Sequence, residues 1–235
     1  MRSLHDKVIV ITGAGGAIAG AVADAFFEAG ARPALIDRDE LTIAGRASSY
    51  GTAGVVSDLR TPAAARTAID AVRAHHRHVD GLVHLVGEVV SGDVSNLADE
   101  TYDDVFDSNV RTLVYAVRAV LPDLLAREEG FIGGIASGEA WDGGAAGAAL
   151  FAAAKSAVAT FLRSLDKELD KTGVHVGICF PMGLVDTPGN RRSLGREHRA
   201  RLIDPAVIGR AFVTAAASGA GGRLVELPVH PPTKS

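Results

Sequence analysis

Residues 8–19 read Val-Ile-Val-Ile-Thr-Gly-Ala-Gly-Gly-Ala-Ile-Ala, an apolar, β-branched run that breaks into glycines and continues into an alanine-rich stretch. The run has the length and branching of a strand covered on both faces. The alanine-rich stretch, 17–29, is a helix candidate. A glycine turn between strand and helix presents backbone N–H groups to an anion at the positive end of the helix dipole. Gly13 suits the tight turn, Gly16 suits close backbone approach, and Ala19 is small enough for the helix to pack on the sheet. Gly13, Gly15, Gly16 and Ile18 are therefore assigned to a pyrophosphate-binding turn, although such turns also occur as plain connections.

Moving outward, the same pattern repeats. Apolar runs of strand length stand at 33–37, 54–57, 81–86, 131–136, 174–180 and 223–227. Helix candidates stand at 63–75, 99–126, 148–171 and 205–218. Strand alternating with helix predicts a parallel sheet with right-handed crossovers, a doubly wound Rossmann-type α/β fold in a single domain over 1–235. The pattern breaks at 182–201, where Pro, Gly and Arg take over, so 188–203 is a candidate lid over a substrate site. The tail 230–235, with two consecutive prolines, is expected to fray.

The second run ends at Asp37, 24 residues after Gly13, close to the ~20 expected of an acid that binds the ribose of a dinucleotide. A carboxylate there accepts both ribose hydroxyls of NAD and repels the 2′-phosphate of NADP, so NAD is the expected cofactor in preference to NADP. Arg38 can soften that preference by stacking on adenine or pairing with a phosphate. Asp58 is placed to meet the adenine edge with Leu59 packed beside it, or to serve as a turn residue.

Composition narrows the function classes. The 235 residues carry 24 basic and 28 acidic side chains, a net charge of −4, with 47% hydrophobic and 22% charged residues. That is ordinary globular composition, with no basic footprint for nucleic acid or an anionic membrane. The single cysteine, Cys179, excludes an internal disulfide and points to a reducing, cytoplasmic setting. No apolar run reaches membrane-spanning length, and the N-terminus enters a strand without a signal peptide's apolar stretch.

Taken together, TGAGGAIA at 12–19, Asp37, SDL at 57–59, HLVG at 84–87, DSNV at 107–110, GGIAS at 133–137, FAAAK at 151–155 and PMGLVDTP at 181–188 resemble the short-chain dehydrogenase/reductase superfamily along essentially the whole chain. The resemblance implies a seven-stranded sheet, a nicotinamide cofactor, and hydride transfer between an alcohol and a carbonyl on a small substrate. It also implies a homodimer or homotetramer, here through the helices at 99–126 and 148–171. Onto this chain it carries Ser137, Lys155 and Asn109 as catalytic residues, and Gly87, Lys155 and Thr187 as cofactor contacts. No metal is expected.

The departures are specific. Ala17 and Ala19 replace two glycines of the family's turn, HLVG replaces a more polar strand end, and PMG lengthens a Pro-Gly turn. Phe151 stands where the family has its catalytic tyrosine, four residues before Lys155. Hydride addition to a carbonyl leaves charge on oxygen, and a positioned acid contributes about 10²–10⁴-fold. Phenylalanine supplies none of it. Tyr50, Tyr102 and Tyr115 have no sequence reason to reach the site. Glu139, in the loop with Trp141 and Asp142, is a surrogate to test; Lys155 or the substrate itself is another, and His84 reads as a packed core residue. Three readings stay open: a tyrosine mutated to Phe151, a natural atypical reductase, or a non-redox lyase, isomerase, cyclase or nucleotide-binding sensor on the same scaffold. Retention of Ser137, Lys155 and Asn109 favours the first two, and Ala17 and Ala19 favour the third.

On the substrate side, Arg191, Arg192, Arg196, Arg199 and Arg201 could clamp an anionic substrate or form a solvated basic face. Trp141, Phe151 and Phe180 are the aromatics expected to line a pocket.

Overall fold

The computed structural model describes residues 2–52, 54–219 and 222–233. Seven strands form one sheet: β1 Val8–Thr12, β2 Arg32–Asp37, β3 Gly54–Val56, β4 Gly81–His84, β5 Gly130–Ile135, β6 Val174–Pro181 and β7 Glu226–Val229. They lie in the order β3-β2-β1-β4-β5-β6-β7, every pair parallel. The sequence order reverses between β1 and β4, and in open parallel sheets ligands sit in the crevice at such a reversal, beyond the strands' carboxyl ends.

Alternation along β1 shows how the two layers of helices arise. Val8 and Val10 face one side, packed on α3 (Pro62–His76), α5 (Thr112–Ala126) and α7 (Ala149–Glu168). Ile9 and Ile11 face the other side, packed on α1 (Ala19–Glu28), α2 (Glu40–Ser49) and α9 (Pro205–Ala217). Thr61 caps α3 by accepting from the Ala64 N–H, with Pro62 in the first turn, where a missing N–H costs nothing. Asp204 and Pro205 start α9 in the same way. Three further helices are short, α4 (Thr101–Phe106), α6 (Gly138–Asp142) and α8 (Pro188–Ser193), and the last two supply residues to the crevice wall. Among the described residues no helix is long and apolar enough to cross a membrane.

Several expectations are corrected. The 40–49 segment is a helix that the sequence reading leaves out; only Ile43 and Ala47 are buried, too few apolar positions to show a period. The helix expected over 99–126 is interrupted by one π-helical turn at Asp107–Arg111. The last strand begins at Glu226 rather than at 223, because Arg223 turns to Asp166 and Asp170 instead of joining the ladder. The 182–201 stretch is not irregular: it holds α8 and a 3₁₀ turn at Arg196–Arg201, and Val185 pairs with Ile203 across its neck. Of the tail, 230–233 has no regular structure, and 234–235 lie outside the described residues.

Candidate active site

The glycine turn sits at the end of β1 and is fixed from three sides. Gly13 has φ +71°, and a Cβ there would lie 2.8 Å from the Val86 nitrogen, so only glycine fits against the end of β4. The Gly15 N–H donates to Asp37 Oδ2 at 2.8 Å, and the Asp39 N–H to Oδ1 at 3.0 Å. Arg46, from α2, donates to the Ala14 carbonyl. Ala17 is exposed and outside the groove's lining, while Ala19 packs in the core at the head of α1. Neither alanine closes the turn.

A groove of about 370 Å³ opens beside it, and its walls include Gly13, Gly15, Gly16, Asp37, Arg38, Asp58, Leu59 and Gly87. Arg38 spans it to Glu88 at 3.0 Å, both exposed. Arg60 pairs with Asp58 at 2.6 Å and holds that carboxyl below its usual range. Leu59 is buried against the floor. Gly87 and Leu85 border this groove and also a second cavity of about 570 Å³, so the two are adjoining spaces.

The second cavity gathers Ile18, Ser137, Phe151, Lys155 and Thr187. Ser137, two residues beyond β5, caps α6, its Oγ accepting from the Ala140 N–H. Phe151 and Lys155 occupy one face of α7, as i, i+4 spacing requires. The Lys155 Nζ donates to the Ile135 carbonyl at 3.1 Å and lies 5.8 Å from the Phe151 ring centre. Burial pulls its ammonium down to about 8. Thr187 caps α8, accepting from the Asn190 N–H.

Asn109 comes from the π-helical turn. Its Nδ2 donates to the Glu88 and Val105 carbonyls, whereas its buried Oδ1 has no partner among the described residues. A Cβ on Gly87 would fall 2.4 Å from that Oδ1 and 3.0 Å from Lys155 Nζ, so both groups converge beneath Gly87. An unpartnered buried acceptor beside an ammonium is a place for a bound water or ligand hydroxyl.

Below the turn, Thr112 Oγ1 donates to the Ser108 carbonyl at 2.6 Å, leaving lone pairs toward His84 Nε2 at 3.2 Å. His84 therefore carries its proton on Nε2, and Nδ1 accepts from the Thr12 hydroxyl at 2.7 Å. Burial, then the nearby Lys155 charge, push this imidazole down to about 3, so it is neutral and structural.

Other expected residues are not brought together. Among the described residues none of the arginines of 190–201 lines the cavity; Arg191 pairs with Asp186 instead, so the anion clamp is not formed. Trp141 and Phe180 stack edge to face outside the lining, leaving Phe151 as its aromatic. Tyr50 donates to Asp24, Tyr102 stacks on Phe106, Tyr115 packs on the core, and none lines either space. Sequence reasoning missed Arg46, Glu88 and Asn190; the first two carry no motif, and the third is visible only as the residue three after a Thr-Pro cap.

A model of the short chain dehydrogenase family matches residues 7–197. An uncharacterized oxidoreductase of Staphylococcus epidermidis is 33% identical over 86% of this chain and 91% of its own length. Another, from Staphylococcus haemolyticus, is 31% identical over 98% and 100%. The fold is shared with a crystal structure of a 3-ketoacyl-(acyl-carrier-protein) reductase from Brucella melitensis complexed with NADH, with a TM-score of 0.89, 24% identity, and 97% and 98% of the two chains covered. It is shared also with a metagenomic short-chain oxidoreductase in complex with NADP, with a TM-score of 0.84, 23% identity, and 99% and 100% covered.

Proposed function

The chain belongs to the short-chain dehydrogenase family, and from that premise we propose that it transfers hydride between NADH, in preference to NADPH, and a small organic molecule held in the cavity beside Ser137 and Lys155. The observation that carries this reading is the Asp37 carboxylate at the glycine turn, 2.8 Å from the Gly15 nitrogen. Each of its oxygens accepts one backbone N–H and keeps lone pairs for ribose hydroxyls, and its charge opposes a phosphate there. The residues fit a nicotinamide dinucleotide on a second count, since the unpartnered Asn109 Oδ1 and Lys155 Nζ converge where the groove meets the cavity.

When bound, the nicotinamide supplies or takes up the hydride. The chain's own residues do the rest. Gly13, Gly15 and Gly16 let backbone come close to the pyrophosphate, and Ile18 and Thr187 border the space for the nicotinamide end. The Ser137 hydroxyl can donate to a substrate oxygen, since its Oγ uses only a lone pair toward Ala140. Lys155, drawn down by burial, is an acid that can release a proton near neutral pH, which the Phe151 ring cannot.

The test is a fluorescence titration with NADH and NADPH. Tighter binding of NADH, with the difference erased in Asp37→Ala, is the expected result; equal binding, or none, overturns it. A homodimer or homotetramer through α7 and the α4–α5 face accompanies this reading, and a monomer by light scattering at micromolar concentration counts against it.

A further inference from the structure

Two features of the cavity point the same way. Phe151 stands where a hydroxyl acid would serve a carbonyl oxygen, leaving only Ser137 and the tethered Lys155 to act there, and the charged lining is mostly negative. Glu139 and Asp142, the second and last residues of α6, both line the space, Glu139 half-buried and Asp142 exposed. Lys155 is its one basic residue among the described residues, tied to the Ile135 carbonyl. We infer that the hydride acceptor is an iminium ion, a C=N⁺ on an apolar body, rather than a ketone or aldehyde; this rests on the hydride-transfer reading above.

The electron count explains why phenylalanine suffices. Adding hydride to a carbonyl carbon sends the π pair to oxygen, and an alkoxide in a dry site must be protonated. In an iminium, hydride from the reduced nicotinamide dinucleotide forms the new C–H bond, and the C=N π pair becomes the nitrogen lone pair. The cation becomes a neutral amine, and the dinucleotide is oxidised by two electrons. No proton enters the step, so nothing is lost with a hydroxyl at 151.

The surroundings recognise the same species. Carboxylates in the lining concentrate cations and repel carboxylates and phosphates. Phe151 lines the cavity as apolar surface, its ring approached by Lys155 Nζ at 5.8 Å. Leu85, Val89, Met182 and Leu184 supply apolar wall for the body of the molecule. The arginines that would have favoured an anion lie outside.

The experiment compares N-methyl dihydroisoquinolinium with tetralone, a neutral bicyclic ketone of similar shape, following NADH oxidation and, separately, NADH binding. The unreactive ammonium N,N-dimethyl tetrahydroisoquinolinium is titrated by calorimetry against the protein without dinucleotide. The expected results are iminium kcat/KM at least ~100-fold above the ketone's, matching the lower bound for a lost general acid, and ammonium binding weakened by roughly threefold in each of Glu139→Gln and Asp142→Asn. NADH binding with the ketone reduced as well as the iminium, or with the iminium unreduced, overturns the substrate class and leaves the cofactor reading standing. Failure to bind NADH overturns both.

Discussion

Phe151 concentrates the chemistry of the site in one missing atom. Its ring lines the cavity beside Ser137 and Lys155, so Phe151→Tyr places a phenol among groups that can use it. The substitution is expected to raise ketone reduction by about 10²–10⁴-fold and to leave iminium reduction within a few-fold, measured as kcat/KM on the two substrates. On the reading proposed above, any residual ketone reduction by the unaltered protein would draw its proton from Lys155. Because burial brings that ammonium to about 8, the rate should fall as pH rises through that value, while reduction of an N-methyl iminium should not. Gly87→Ala is a sharper probe of position: its methyl group would sit 2.4 Å from Asn109 Oδ1 and 3.0 Å from Lys155 Nζ. Forcing those buried groups apart costs about 1–3 kcal/mol of stability by denaturant unfolding, and turnover is lost with it. At this scale much was legible. Ser137, Lys155 and Asn109 stand at spacings that the fold converts into proximity. Glu139 and Asp142 were visible as loop acids, but that two carboxylates and no arginine face the cavity depends on where α6 and α8 sit, which spacing does not encode.

Among elements, α2 carries more than its weak pattern suggests. It buries little, yet its Arg46 holds the Ala14 carbonyl and lies along Gly20, bracing the glycine turn from the side away from Asp37. Arg46→Ala removes a charge-assisted hydrogen bond and should weaken NADH binding by roughly tenfold, about 1.4 kcal/mol by fluorescence titration. The helix escaped the sequence reading because two buried positions are too few for a period, although Asp39 with Thr42 is a usable cap signal. The reverse holds for 99–126, where a continuous apolar pattern concealed the π-helical turn that delivers Asn109. The extra residue turns the helical phase by about 100°, but the stretch that follows is apolar at nearly every position, so no break in the period shows. Strands covered on both faces were legible to within a few residues, apart from β7, whose start was displaced by Arg223 turning to Asp166 and Asp170.

For the molecule as a whole, the buried His84 ties stability to pH. Its imidazole is neutral in the fold down to about 3 but accepts a proton near 6.5 when unfolded, so the unfolded chain binds more protons between those values. Stability should therefore fall as pH drops below 6.5, with a limiting slope of about 1.4 kcal/mol per pH unit from this group. Denaturant unfolding at a series of pH values reads this directly, and His84→Asn should flatten the slope even where it lowers stability throughout. The parallel, doubly wound sheet was legible because strands and helices alternate along the chain, whereas the substrate wall was not, because it is assembled from segments distant in sequence. One part of that wall has a different kind of consequence. Val185 and Ile203 bring the two ends of one segment together outside the sheet, fastened by the Asp186 N–H on the Ile203 carbonyl at 2.7 Å and the Ile203 N–H on the Leu184 carbonyl at 2.9 Å. A segment whose ends already meet is a cassette. Closing it costs only about 0.6 kcal/mol more for each doubling of its length, so it can be exchanged for one of another size and charge while the glycine turn and Asp37 beneath stay in place.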